Sequence, residues 1–331
     1  MLWKHPAAVC GVALLLIASA SLAFQSPGAD PVNIVPRARR AAPPDPDSGR
    51  EATLRIDSTL VEIPVHATTG DGASVANLTR QDFRVFEDGV EQKITSFTQD
   101  DAPLSVGLVF DASGSMHNKI QKSSEAVATF FKTANSQDEF FLVEFNERPK
   151  LTIPFTPDSE SIYERVAHTK PFGRTSLLDA IHMAMVQMKS AKNRRKAIVI
   201  FSDGGDNRSR YTESQIRNGM LESDVQVYAM GIFDPDAQKL SPEEQNGPRL
   251  LQELAEQTGG RHYPVGDLND LAAVSERVSR DLRTEYVLGY SPSHPARDGK
   301  YRRIRVEVAS PPRNGEKLRL DYRRGYYAPA E

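Results

Sequence analysis

Cysteine is almost missing from this chain: 331 residues hold one, Cys10. A single thiol cannot close an internal disulfide, so neither a disulfide framework nor paired-thiol chemistry organises the protein. An excess of either charge is missing too. Lys and Arg number 41 against 44 Asp and Glu, for a formal charge of −3 with the signs interspersed. That excludes the basic footprint of a nucleic-acid binder. Beyond the N-terminus no run is apolar enough to span a bilayer, which takes ~20 residues. Histidines 66, 117, 168, 182, 262 and 294 lack His-Glu-x-x-His spacing, and neither a Gly-x-Ser-x-Gly elbow nor a Gly-Lys-Ser/Thr phosphate loop occurs.

What is present begins with an export signal. Lys4 and His5 precede the apolar stretch Ala7 to Ala18, and Ser21-Leu22-Ala23 offers a small-x-small cleavage site. The stretch is short for a membrane span, so residues 1–23 read as a signal peptide, with an uncleaved anchor as the alternative. Cys10 lies inside that stretch and not after it, where a lipid-modified cysteine would stand. The expected product is exported, periplasmic or extracellular, with no stable membrane span after cleavage. Residues 24–50 carry Pro27, Pro31, Pro36, Pro43, Pro44 and Pro46 and read as a linker, with Arg37, Arg39 and Arg40 as a solvated basic cluster.

Three patterned segments follow. In 51–101 the apolar period is two: Val61, Ile63, Val65 and Ala67 share one face, Pro64 suggests an edge strand or bulge, and Asp88-Gly89 signals a tight hairpin. In 102–283 strands alternate with helices. Strands are expected at 104–110, 139–145, 150–155, 197–202, 225–232 and 261–265. Helices are expected near 118–133, 158–168, 175–190, 212–222, 249–257 and 268–283. The fold class is therefore α/β, a doubly wound and mostly parallel sheet with helices on both faces. In 284–331 period two returns through Ile304, Val306 and Val308 and through Leu318, Leu320 and Tyr322. Neither flank has strands enough to stand alone, so 51–101 and 284–331 are expected to pair as one small β-sandwich-like domain, with 102–283 inserted between them.

The chemistry concentrates at the exits of two apolar strands. Leu104 to Phe110 empties into Asp111-Ala-Ser113-Gly-Ser115, and Ala197 to Phe201 empties into Ser202-Asp203-Gly204, while Thr175 lies between them in the chain. All these side chains are hard oxygen donors, suited to Mg²⁺, Mn²⁺ or Ca²⁺. Loops at the carboxyl ends of parallel strands converge where open α/β sheets bind ligands.

Asp-x-Ser-x-Ser, then a distant Thr, then a distant Asp resembles the metal-ion-dependent adhesion site of von Willebrand factor A domains, and no position of the five departs from that pattern. "DFRVFEDG", "PLSVGLVFDASGSM", "YVLGYSP" and "RRIRVEV…YRRGYYAP", in that order over roughly residues 55–328, resemble the VWFA-related family common in Acidobacteria. The resemblance implies a cation held by Asp111, Ser113, Ser115, Thr175 and Asp203, whose shell a partner protein's Asp or Glu completes. Arg174, Arg208 and Arg210 are expected to rim the site and steer an acidic partner. Asp179 is expected on a helix face orienting the loop, and Asp206 as a second layer or an exposed turn residue.

The expected function is an exported, metal-dependent protein-binding module and not an enzyme. One rival is a metal-dependent envelope hydrolase, with Asp206 or His117 as the only base candidates. Another is a structural envelope protein whose cation stiffens the fold. The last helix runs directly into strand 286–290, an expected route for passing ligation to the β domain.

Overall fold

A computed structural model describes residues 60–99, 102–233, 241–309 and 317–330. The expected signal peptide, linker and basic cluster lie outside the described residues. The strands and helices run β1 (Val61–Thr68), β2 (Phe83–Glu87), β3 (Val90–Gln92), β4 (Ile94–Thr98), β5 (Leu104–Asp111), α1 (Ile120–Phe131), β6 (Glu139–Phe145), β7 (Pro149–Thr156), α2 (Ser159–Ala167) and α3 (Leu177–Met188). They continue as β8 (Arg195–Ser202), α4 (Glu213–Glu222), β9 (Gln226–Ile232), α5 (Pro242–Thr258), β10 (His262–Val265), α6 (Leu271–Arg283), β11 (Tyr286–Tyr290), β12 (Tyr301–Val308), β13 (Arg319–Tyr322) and β14 (Gly325–Tyr327).

The central sheet has the order β10-β9-β8-β5-β6-β7 and is parallel except for β7. Every residue of β5, β6 and β9 is buried, which is why these strands read as continuous apolar runs. Leu104, Val106, Leu108 and Phe110 face a core shared with α1, α2 and α6. Val109, Ile198 and Ile200 face the opposite core, under α3, α4 and α5. Gly107 is required in mid-strand: a Cβ there would lie 2.2 Å from the Phe141 ring. Ser275 and Ser279 of α6 donate to the Ala126 and Phe130 carbonyls of α1, so small polar side chains let the two helices lie close.

The flanks form two antiparallel four-stranded sheets, β13-β1-β11-β4 and β14-β12-β2-β3. Both sheets combine N-terminal with C-terminal strands: Val61–Val65 pairs with Tyr286–Tyr290, and Phe83–Glu87 with Ile304–Val308. Their facing side chains, among them Ile63, Val65, Val85, Leu288, Tyr290 and Val306, make one shared core. Asp88 and Gly89 adopt positive φ in the β2–β3 turn, as the sequence suggested.

Three expectations need correction. Pro64 lies in an inner strand and not at an edge, because β1 sits between β13 and β11. It is tolerated because β13 pairs only with Val65–Thr68, leaving the β13 side of Pro64 unpaired. The fifth helix begins at Pro242 and not near 249. Ser241 and Glu244 close a capping box with Pro at the first helical position, a start signal that outweighs Pro248 within the helix. Thr175 does not open α3, which starts at Leu177.

Candidate metal centre

In chain order β5, β6 and β7 extend the sheet one way and β8, β9 and β10 the other, so the winding reverses between β5 and β8. Open α/β sheets place ligands outside the carboxyl ends of the strands at such a reversal. Asp111 ends β5 and Asp203 follows β8, which brings the two carboxylates to this crevice.

Asp111 is fully buried. Its Oδ1 accepts the Ser113 N–H at 2.9 Å and its Oδ2 accepts the Ser202 hydroxyl at 2.6 Å. Burial, then the nearby Asp203 charge, pushes its carboxyl up to about 7 against those hydrogen bonds. The Ser113 and Ser115 hydroxyl oxygens lie 3.1 Å apart. Asp203 Oδ1 accepts the Gly205 N–H at 3.2 Å, and its Oδ2 accepts the Lys119 ammonium at 3.1 Å.

The loop bearing Thr175 is strapped on both sides. Gly114 N–H donates to Gly173 O at 3.0 Å and Phe172 N–H to Ala112 O at 3.0 Å, tying it to the Asp111 loop. Thr175 N–H donates to Asn207 Oδ1, and the Thr175 carbonyl accepts from the Asn207 and Arg208 N–H groups at 3.1 and 3.0 Å. Thr175 is buried. Gly173 takes φ +77°, a conformation costly for other residues at this tight crossing.

Asp179 and Asp206 hold the scaffold. Asp206 Oδ2 accepts from Leu178 N–H and from the Ser209 hydroxyl, so it caps α3 from a neighbouring loop. Its Oδ1 accepts the Arg208 and Ser209 N–H groups. Asp179 Oδ1 accepts the Arg210 and Tyr211 N–H groups at 2.8 and 3.1 Å. Arg210 Nε also reaches Asp179 Oδ2 at 3.4 Å. Arg174, Arg208 and Arg210 are exposed on the loops around the crevice. Phe172, on the same rim, is 62 % exposed.

Sequence reasoning missed four contributors. Ser202 and Asn207 fasten the donor loops, and Lys119 pairs with Asp203. Gly247 of α5 completes the set: a Cβ there would lie 2.3 Å from the Asp203 carbonyl oxygen. Ser202 and Asn207 stood next to motif residues. Lys119 and Gly247 had no local signal.

The donor set fits a hard divalent cation. Cis oxygens around an octahedral Mg²⁺ at ~2.1 Å stand ~3.0 Å apart, close to the Ser113–Ser115 separation. Among the described residues no group of three His, Cys, Asp or Glu side chains gathers to hold a metal.

The chain is similar to known proteins over part of its length. An uncharacterized protein of Borreliella burgdorferi is 24 % identical over 188 residues, 50 % of this chain and 55 % of its own length. Inter-alpha-trypsin inhibitor heavy chain H2 of Sus scrofa is 25 % identical over 159 residues, 42 % of this chain and 17 % of its own. The chain thus spans about half the length of the first curated relative and less of the second. A solved von Willebrand factor type A structure from Catenulispora acidiphila aligns at 13 % identity and a TM-score of 0.47, over 72 % of this chain and 75 % of that one. The model of the von Willebrand factor type A domain family matches residues 106–205, from the middle of β5 to just past Asp203.

Proposed function

We propose that this chain is an exported, non-enzymatic protein-binding module. Its α/β domain would hold a divalent cation, Mg²⁺ or alternatively Mn²⁺ or Ca²⁺, through Asp111, Ser113, Ser115, Thr175 and Asp203. An Asp or Glu of a partner protein completes the coordination. The observation that carries this reading is the set of straps at the reversal point, which hold three donor-bearing loops against one crevice. The ion supplies a strong electrostatic anchor for a carboxylate. The chain's own part is to fix the donors, keep Asp111 dry and present a rim of Arg174, Arg208, Arg210 and Phe172 to the partner.

A hydrolase finds less support. Asp206, one of the two base candidates, has both oxygens engaged by four donors. The Ser113 hydroxyl lies within hydrogen-bonding distance of the Ser115 hydroxyl, at 3.1 Å. The reading of the cation as a mere stiffener is separated by Asp203→Ala, which on that view lowers stability and leaves partner capture unchanged.

Calorimetric titration of Mg²⁺, Mn²⁺ and Ca²⁺ into the purified protein and into Asp111→Ala tests the cation site. Flat traces for all three ions at millimolar concentration sink it. Capture from an envelope extract with Mg²⁺, with chelator and with Asp111→Ala then tests the partner. Retention that is equal in all three conditions sinks the binding role.

A further inference from the structure

A further charged group, Lys119, belongs to this crevice. Lys119 stands immediately before α1 with its backbone held at both ends. Its N–H donates to Met116 O at 2.8 Å, and its carbonyl accepts from the Ser123 N–H and hydroxyl at 2.9 Å each. Its ammonium lies 3.1 Å from Asp203 Oδ2, and the two side chains are 10 % and 5 % exposed. Burying an ammonium is costly unless an anion faces it. The anion here is a carboxylate that the proposed cation site needs, and its other oxygen is already bonded to Gly205 N–H.

We propose that Lys119 is a built-in counter-cation that contests Asp203 with the divalent ion and so limits how tightly that ion is held. This rests on the cation-site reading above. Two carboxylates alone would be neutralised by a dication. With Lys119 beside them the loaded site keeps one net positive charge, which draws an external carboxylate to finish the shell. A lysine suits this role better than an arginine. Its compact charge on a flexible stem can swing off one oxygen, whereas a guanidinium fork would hold both in a fixed geometry.

The test is a calorimetric Mn²⁺ titration of chelator-stripped wild type, Lys119→Met and Lys119→Gln, with thermal melting confirming that each is folded. Both neutral variants should bind Mn²⁺ at least ~10-fold more tightly than wild type, and adding Asp111→Ala to either should abolish the heat. Should the methionine variant fail to fold, the glutamine variant, which keeps a polar head without charge, carries the comparison. Unchanged or weaker binding in folded Lys119 variants, with wild type binding normally, overturns the role of Lys119 and leaves the cation site standing. Silence in wild type and in both variants overturns the cation site, and this inference with it. Silence in wild type with binding in the variants upholds both.

Discussion

The Ser202 hydroxyl donates to Asp111 Oδ2 at 2.6 Å, a bond between the last residues of two neighbouring parallel strands. The same oxygen of Ser202 accepts the Gly204 N–H at 3.0 Å. One hydroxyl thus fixes the orientation of the first carboxylate and the turn that carries the second. It is a small side chain with two site-building contacts.

Removing that hydroxyl by Ser202→Ala leaves Asp111 Oδ2 buried without its donor. The expected loss is ~1–3 kcal/mol of stability, read as a lower denaturant midpoint at unchanged slope. The same variant should weaken Mn²⁺ binding by ~10-fold or more, as loss of an orienting partner does elsewhere. Unchanged binding in the calorimeter would show that Asp111 keeps its geometry unaided.

The close approach of α5 to the Asp203 loop gives a second test. Gly247→Ala puts a methyl group 2.3 Å from the Asp203 carbonyl oxygen, and backbone must shift to relieve it. Overpacking of this kind costs ~1–3 kcal/mol. The displaced Asp203 should also lower cation affinity. Gly70→Ala, where nothing lies within 4 Å of the added methyl group, serves as the matched control. Equal melting and equal Mn²⁺ affinity in the two variants would refute the coupling.

Phe172 separates partner binding from ion binding. Its backbone is tied to Ala112, within the donor loop, yet its side chain is 62 % exposed. Phe172→Ala should therefore change stability by no more than ~0.5 kcal/mol and leave Mn²⁺ affinity intact. Capture of a partner in Mg²⁺ should weaken by at least ~1 kcal/mol, about five-fold, as for a rim aromatic that anchors an interface. Full retention of partner would remove Phe172 from the docking surface.

Acid sensitivity is expected at the junction of α6 with the β domain. Asp281, 1 % exposed, accepts from Ser74 Oγ at 2.6 Å, from Arg261 at 2.9 Å and from Tyr263, with His66 Nε2 at 3.4 Å. Burial alone would raise its carboxyl, but His66, Ser74 and Tyr263 together hold it down at about 2. A depressed carboxylate stabilises the fold above its unfolded value of 3.8. That contribution, ~2 kcal/mol, fades as pH falls through about 2. Asp281→Asn should lower stability at pH 6 and flatten the loss between pH 4 and 2, measured by denaturant titration across that range. A parallel acid profile in wild type and variant would contradict the assignment.

Much of this architecture was legible in the chain because its signals are local. Period-two and helical spacings mark the elements, Asp88-Gly89 marks a hairpin, and apolar runs mark strands covered on both sides. The chemistry of Asp111, Ser113, Ser115, Thr175 and Asp203 as hard oxygen donors was equally plain from residue type and strand exit. What only the tertiary structure decided is which distant residues meet. Lys119 and Asp203 are 84 residues apart, and they become partners because β5 and β8 are adjacent at the point where the winding reverses. Gly247 matters to Asp203 only through the docking of α5, and Pro64 is tolerated in an inner strand only because β13 stops short of it. Sequence patterns report what a segment can become over a few residues. Packing across the sheet sets the charge and rigidity of the site, and no local pattern encodes those long-range neighbours.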